Sequence, residues 1–226
     1  MAIWAAKSPF CEFHMPRAKR IYVPGGVWHI THRCHNRDFL LKFRRDRIRW
    51  KYWLFEAKKR YGLSVLNYIV TSNHIHLLVQ DKRTGGIAKS MNLVSSRVAQ
   101  EYNQRKSRKG AFWEDRYFAT AVSTDEHLVR CMIYIELNMV RAGVVHHPLE
   151  WQDSGYHEIQ SGRKRYRIID QDALCQLTGF ASLELFRHQL ELWISEELAN
   201  GHLERQPQWS EEVAVGPDTF KQQFCR

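Results

Sequence analysis

The residues best suited to chemistry lie in two short stretches. The first is Asn73-His74-Ile75-His76-Leu77-Leu78-Val79. In a strand, alternate side chains leave from the same face, so His74 and His76 share one side and Ile75, Leu77 and Val79 the other. Two imidazoles placed in this way can share one metal ion, although an arbitrary pair of this kind is more often a solvated strand face. In the second stretch, Arg130, Tyr134, Asn138 and Arg141 follow i, i+4, i+8, i+11 and form one stripe of a helix. Leu128, Cys131, Ile135 and Met139 form another stripe, the one expected to be buried. On the polar stripe the phenol is a nucleophile, the amide oxygen a metal ligand, and the guanidiniums grip phosphate oxygens. Taken alone, that stripe reads more readily as an ordinary wet helix face with a snorkelling tyrosine.

Together the stretches say more. A phenol with a pKa near 10 attacks poorly at neutral pH. A divalent ion polarises the phosphoryl oxygen and neutralises charge in the transition state. A histidine pair beside a tyrosine helix is therefore a device for breaking a phosphodiester, with a phosphotyrosyl link as product. The other tyrosines fit less well. Four residues after Tyr102 stands Lys106, which cannot ligate a cation, and Tyr117 reads as a strand residue beside Arg116.

The elements that must position these residues follow from the pattern. Val27 to Arg33 alternates and reads as a strand after Gly25-Gly26. Residues 44–61 read as a helix with Ile48, Tyr52, Leu54 and Phe55 apolar and the opposite face basic. Leu63 to Val70 and His74 to Gln80 are strands around the turn Thr71-Ser72-Asn73. A helix runs from about Ile87 to Arg105, a basic loop follows to Gly110, residues 116–122 form a fourth strand, and a helix opening at Thr124-Asp125-Glu126 runs to about Arg141. This order is βαββαβ plus a helix, so the expected fold is α+β: a ferredoxin-like antiparallel sheet, an additional tyrosine-bearing helix and one sheet face left open. Asp170–Leu177 and Ser182–Asn200 read as two amphipathic helices of a C-terminal extension. The expected division is a basic arm over residues 1–24, a domain over 25–157 and the extension over 158–226.

Charge points to the partner. Residues 1–150 carry 26 Lys and Arg against 12 Asp and Glu, a balance of +14, while residues 151–226 carry 8 against 12, a balance of −4. A polyanion therefore belongs with the first two-thirds of the chain. The candidate nucleic-acid contacts are Arg17, Lys19, Arg20, Arg33, Arg37, Arg105, Arg108, Lys109, Arg116, Arg130 and Arg141, with Trp28, Trp113 and Tyr117 as stacking platforms. His32 and His35 read as polar neighbours of the strand end. The five cysteines form no C-x-x-C pair, which argues against a zinc knuckle or redox dithiol, and no apolar run suits a membrane span. A cytoplasmic protein is expected, with Met15 as a second possible start.

The motifs resemble a known family. Asn73 to Val79 is similar to the HUH motif (His, bulky apolar residue, His) of single-tyrosine transposases. Tyr134-Ile-Glu-Leu-Asn-Met-Val-Arg-Ala-Gly143 resembles the tyrosine helix of the branch called REP-associated tyrosine transposases. Pro24 to Thr31, Phe112 to Tyr117 and Trp151 to Tyr156 extend the likeness over about residues 16–157. Met139 replaces a usual proline, Ser72 another, and Cys34 a common glycine. The resemblance implies Mg2+ or Mn2+ held by His74, His76 and Asn138, and Tyr134 as nucleophile. It also implies single-stranded or hairpin DNA as partner, cut and rejoined through a 5′-phosphotyrosine, with no small-molecule cofactor and no membrane. The extension is free to cap the sheet, pair with a second copy in a homodimer, or aid DNA recognition. Two alternatives stand beside this reading: a domesticated protein that binds hairpin DNA or RNA without cutting, and a metallohydrolase of small phosphoesters.

Overall fold

The computed structural model describes residues 23–83, 85–162, 165–201 and 203–224. Arg17, Lys19 and Arg20, and nearly all of the expected basic arm, lie outside these residues.

Strand β1 (Val27–Arg33) leads through a turn into helix α1 (Arg44–Tyr61). Gly62, at φ +68°, closes α1 in the left-handed conformation that a residue with a Cβ resists. Strands β2 (Ser64–Val70) and β3 (His74–Gln80) follow as a hairpin. Helix α2 (Gly86–Arg105), strand β4 (Phe118–Val122) and helix α3 (Glu126–Glu136) complete the core unit. Leu137 separates α3 from the single turn α4 (Asn138–Arg141), so the expected tyrosine helix is two pieces on nearly one axis.

The sheet order is β2-β3-β1-β4, antiparallel at each junction, which is the ferredoxin-like order expected. Pairing sets what each face carries. Thr31 lies opposite His76, His29 opposite Thr120, and Ile69 opposite His76, so these residues all look the same way. The other face, with Ile30, Ile75, Leu77 and Val79, packs beneath α1 and α2, whose buried residues are Trp50, Leu54 and Ala57, and Ile87, Met91, Val94 and Val98. Ile48 and Tyr52, expected in the core, are exposed.

The second face is not left open. α3 crosses it with Leu128, Cys131, Met132 and Ile135 buried. After α5 (Gly155–Ser161), α6 (Gln171–Thr178) and α7 (Leu183–Asn200) pack as a unit, and α7 leans on α3. Side-chain caps open both α6 and α7: Asp170 and Ser182 accept from the Ala173 and Leu185 backbone N–H groups. The chain then runs through α8 (Gln208–Glu211) to β5 (Ala214–Val215), which pairs in parallel with β4 and makes a fifth strand. Bridges from Ile169 and Ser154 cover the β2 edge, so both edges are occupied by chain beyond residue 150. The extension thus caps the sheet.

Among the described residues, Cys34, Cys131 and Cys175 are free thiols, and no helix is long and apolar enough to cross a membrane.

Candidate functional site: a histidine, amide and tyrosine cleft

β3 carries both histidines toward α3. His74 begins the strand and is held from behind: its Nδ1 lies 2.7 Å from Asn73 Oδ1 and 3.0 Å from Thr71 Oγ1. The Asn73 carbonyl-type oxygen can only accept, so the His74 proton sits on Nδ1 and the Nε2 lone pair is free. His76 is buried, with its ring perpendicular to that of His74 at 5.0 Å between centroids. Its Nε2 accepts from the Asn138 side-chain amide at 3.1 Å. Asn138 comes to this point because α4 continues the line of α3 one turn past Tyr134.

Tyr134 stands edge-on to His76, 5.7 Å between ring centroids, and is 7% exposed. It is a wall residue, not the snorkelling tyrosine of a wet face. The Arg141 guanidinium lies 4.1 Å over its ring and also donates to the Tyr134 backbone carbonyl. Trp209 of α8 covers it from the other side at 6.1 Å.

Electrostatics follow from burial. Desolvation pushes the Tyr134 phenol above its ordinary value, and the nearby Arg141 pulls the other way. Burial lowers His74 to about 4, with Arg33 adding to the effect. His76 is likewise pushed well below its ordinary value by burial and then by its charged neighbours. Both imidazoles are therefore neutral at neutral pH, the form that ligates metals. Among the described residues no three His, Cys, Asp or Glu side chains converge for a metal, and the polar side chain beside the His76 imidazole is the Asn138 amide. Two neutral imidazoles with an amide beside them fit a divalent cation by donor type, once the Asn138 amide is turned so that its oxygen, not its nitrogen, faces His76 Nε2.

A cleft of about 690 Å³ opens over these groups. Arg33 ends β1 opposite His74, and the turn after β1 brings Arg37 into the same wall, with Asn36 and Arg37 at φ +51° and +58°. Arg116, Phe118 and Arg141 line it too, and Leu203 and Arg205 enter from the extension. The remaining expected cations lie elsewhere. Arg105 pairs with Asp46, Arg108 donates to Asn103, and Lys109 is exposed on the basic loop. Arg130 pairs with Glu126 and lines a neighbouring cleft that shares Tyr134 and Arg141 with the first.

The expected stacking platforms need correcting. Trp28 is buried against Phe224, and Trp113 stacks on His32 at 4.1 Å while donating to Ser95. The His32 ring therefore faces α2, on the sheet face opposite His76, at the edge of the cleft. Phe118, 38% exposed, is the aromatic that the cleft offers. Sequence reasoning also missed His29, whose ring lies edge to edge with that of His76, and the only available signal was its even spacing from Thr31 and Arg33 on one strand face.

A ferredoxin-like sheet with two histidines, an amide and a tyrosine facing one cleft defines an α+β protein with its site on the sheet's second face. Residues 23–138 match the model of the IS200-like transposases, and the chain belongs to that family. Among solved structures, a REP-associated tyrosine transposase bound to a REP hairpin is 17% identical, with a TM-score of 0.53 over 69% of this chain and 94% of that one. A transposase candidate from Deinococcus radiodurans R1 is 18% identical, with a TM-score of 0.38 over 54% of this chain and 96% of that one. No curated protein matches the sequence.

Proposed function

We propose that the chain cuts and rejoins single-stranded DNA, acting as a transposase on hairpin-containing DNA. The observation that carries this reading is the contact of Asn138 with His76 Nε2 directly beside the Tyr134 ring. The Tyr134 oxygen attacks a phosphate in the cleft. The phenol gives up its proton as a bond forms between that oxygen and phosphorus. The bond from phosphorus to the 3′ oxygen breaks, and the departing 3′ oxygen takes up a proton to become the hydroxyl, so no net proton is gained or lost. The 5′ phosphate stays on Tyr134, and a 3′ hydroxyl reverses the step on rejoining. Arg141 favours the phenolate at the moment of attack, and Arg33, Arg37 and Arg116 hold the flanking phosphates. His74, His76 and Asn138 would hold Mg2+ or Mn2+, which when bound polarises the phosphoryl oxygen. Of the two ions, Mn2+ suits a pair of imidazoles better.

The test is covalent capture on a denaturing gel. Wild type should form a metal-dependent adduct with a 3′-labelled cleavage product, and Tyr134→Phe should form none while retaining hairpin binding. An undiminished adduct in that variant would falsify the assignment of Tyr134. The near-complete burial of Tyr134 favours one second reading, a hairpin binder that does not cut. Hairpin binding by wild type without any adduct would select it.

A further inference from the structure

His29 takes no part in the reaction proposed above, yet it is fully buried against the site. Its ring lies edge to edge with that of His76, 5.0 Å between centroids and with the two planes 9° apart. Its Nδ1 lies 2.7 Å from the backbone carbonyl oxygen of Trp209. A carbonyl only accepts, so the proton of this neutral imidazole sits on Nδ1 and its Nε2 carries the lone pair. That Nε2 is 2.9 Å from His76 Nδ1. The His76 proton must therefore lie on Nδ1, which leaves the lone pair on Nε2, facing Asn138. One backbone carbonyl of the C-terminal extension thus orients two imidazoles in series.

We infer that His29 is a positioning residue for the divalent ion, fixing His76 in the tautomer and ring orientation that present Nε2 to the site, and that Trp209 makes the extension part of this device. The inference rests on the metal-site reading of His74, His76 and Asn138. The arrangement matches the general behaviour of ligating histidines, whose second nitrogen is held by an acceptor that fixes the ring and raises its basicity. His74 obtains the same service locally from Asn73. His76 obtains it only through the fold, from a carbonyl in a segment 180 residues away from His29.

A purely structural role for His29 would be to dock the extension. Thr120 does that job in parallel, because its hydroxyl lies 2.8 Å from the Glu212 carbonyl and 3.3 Å from that of Trp209. This gives a control that loosens the same contact while leaving both imidazoles in place.

The experiment is Mn2+ binding to the full chain without DNA, by calorimetry or by loss of the free-ion EPR signal. His29→Phe keeps a flat ring and removes both nitrogens. It should weaken Mn2+ binding by about 10–100-fold. His29→Gln, whose amide can donate to Trp209 and accept from His76, should recover much of that loss, and Thr120→Val should bind nearly as wild type. Wild-type affinity in His29→Phe, with binding lost in His76→Ala, overturns the inference and spares the metal site. An equal loss in Thr120→Val and His29→Phe also overturns it, in favour of docking. Absence of His76-dependent Mn2+ binding in wild type overturns both readings. A second measurement needs no variant to fold. Long-range proton–nitrogen NMR of the metal-free wild type should show the proton of His76 on Nδ1, and a proton on Nε2 defeats the proposal.

Discussion

Tyr134 and Glu136, two positions apart on α3, meet burial in different ways. For Tyr134 the raised phenol value is a handicap, offset by Arg141 stacked on its ring. Arg141→Gln removes the offset. The rise of cleavage rate with pH should then move to higher pH, with a loss of about 10²-fold or more near neutrality, the scale for deleting one charge-stabilising donor. A pH–rate profile of unchanged shape in that variant would show that Arg141 does not act on the phenol. Glu136 has no cation beside it: burial lifts its carboxyl from the ordinary 4.5 to about 8, against a weaker pull from Asn67 and the Tyr156 backbone. The folded state thus binds this proton more tightly than the unfolded chain does. Its contribution is fully present below the lower value and is lost as pH rises through about 8. Glu136→Gln keeps the shape without the titration. Its melting temperature should match wild type near pH 5 and exceed it increasingly up to pH 9, and a gap that stays constant with pH would mean that Glu136 is already ionised in the fold.

At the scale of elements, the approach of α5 to β2 depends on Gly155. A Cβ there would lie 2.1 Å from Asn67 Oδ1 and 3.1 Å from the Tyr68 nitrogen, closer than atoms can pack. Gly155→Ala should cost about 1–3 kcal/mol, seen as a fall of several degrees in melting temperature. A melting curve identical to wild type would show that Asn67 swings away freely. The strands and the three long helices of the core were legible because their apolar periods are clean, and the histidine pair announced its own face by alternation. The buried side of α1 was legible only in part: Trp50 and Leu54 read as core and are buried, whereas Ile48 and Tyr52 are exposed. Trp50, Leu54 and Ala57 repeat at i, i+4, i+7, and so do Ile48, Tyr52 and Phe55, which makes two candidate stripes with one period. The fold buries the first, and Arg47 goes inward with it because Asp153 receives its Nε at 2.6 Å. The outward stripe is covered in part by charge and ring contacts, with Arg49 4.3 Å over Tyr52 and Tyr166 against Phe55. Within the site, spacing nominated His74, His76, Tyr134 and Asn138, and the family resemblance gave them their expected roles. His29 could not, because its meaning comes from Trp209, and β5, only two residues long, has no period to read.

For the molecule as a whole, the charge asymmetry acquires a location. The balance of +14 over residues 1–150 includes Arg33, Arg37 and Arg116 in the cleft wall, while residues 151–226, at −4, cover the same sheet face beside it. Arg33 has only a loose partner, Glu114 at 3.9 Å, with both side chains nearly half exposed, and such a pair adds little to stability. These three cations can therefore be removed with little cost to the fold. If they contact phosphates of a single strand, each releases counterions on binding, and the slope of log affinity against log salt is about −0.7 per contact. Arg33→Ala, Arg37→Ala and Arg116→Ala combined should make the slope shallower by about 2 and weaken binding most at low salt. The measurement is fluorescence anisotropy of a labelled single strand across a salt series, with the Arg105→Ala, Arg108→Ala pair as comparison. Because Arg105 and Arg108 are engaged with Asp46 and Asn103 and do not line the cleft, that pair should leave the slope closer to wild type. A larger change from the second set would place the DNA path along α1 and α2, on the opposite side of the sheet from Tyr134.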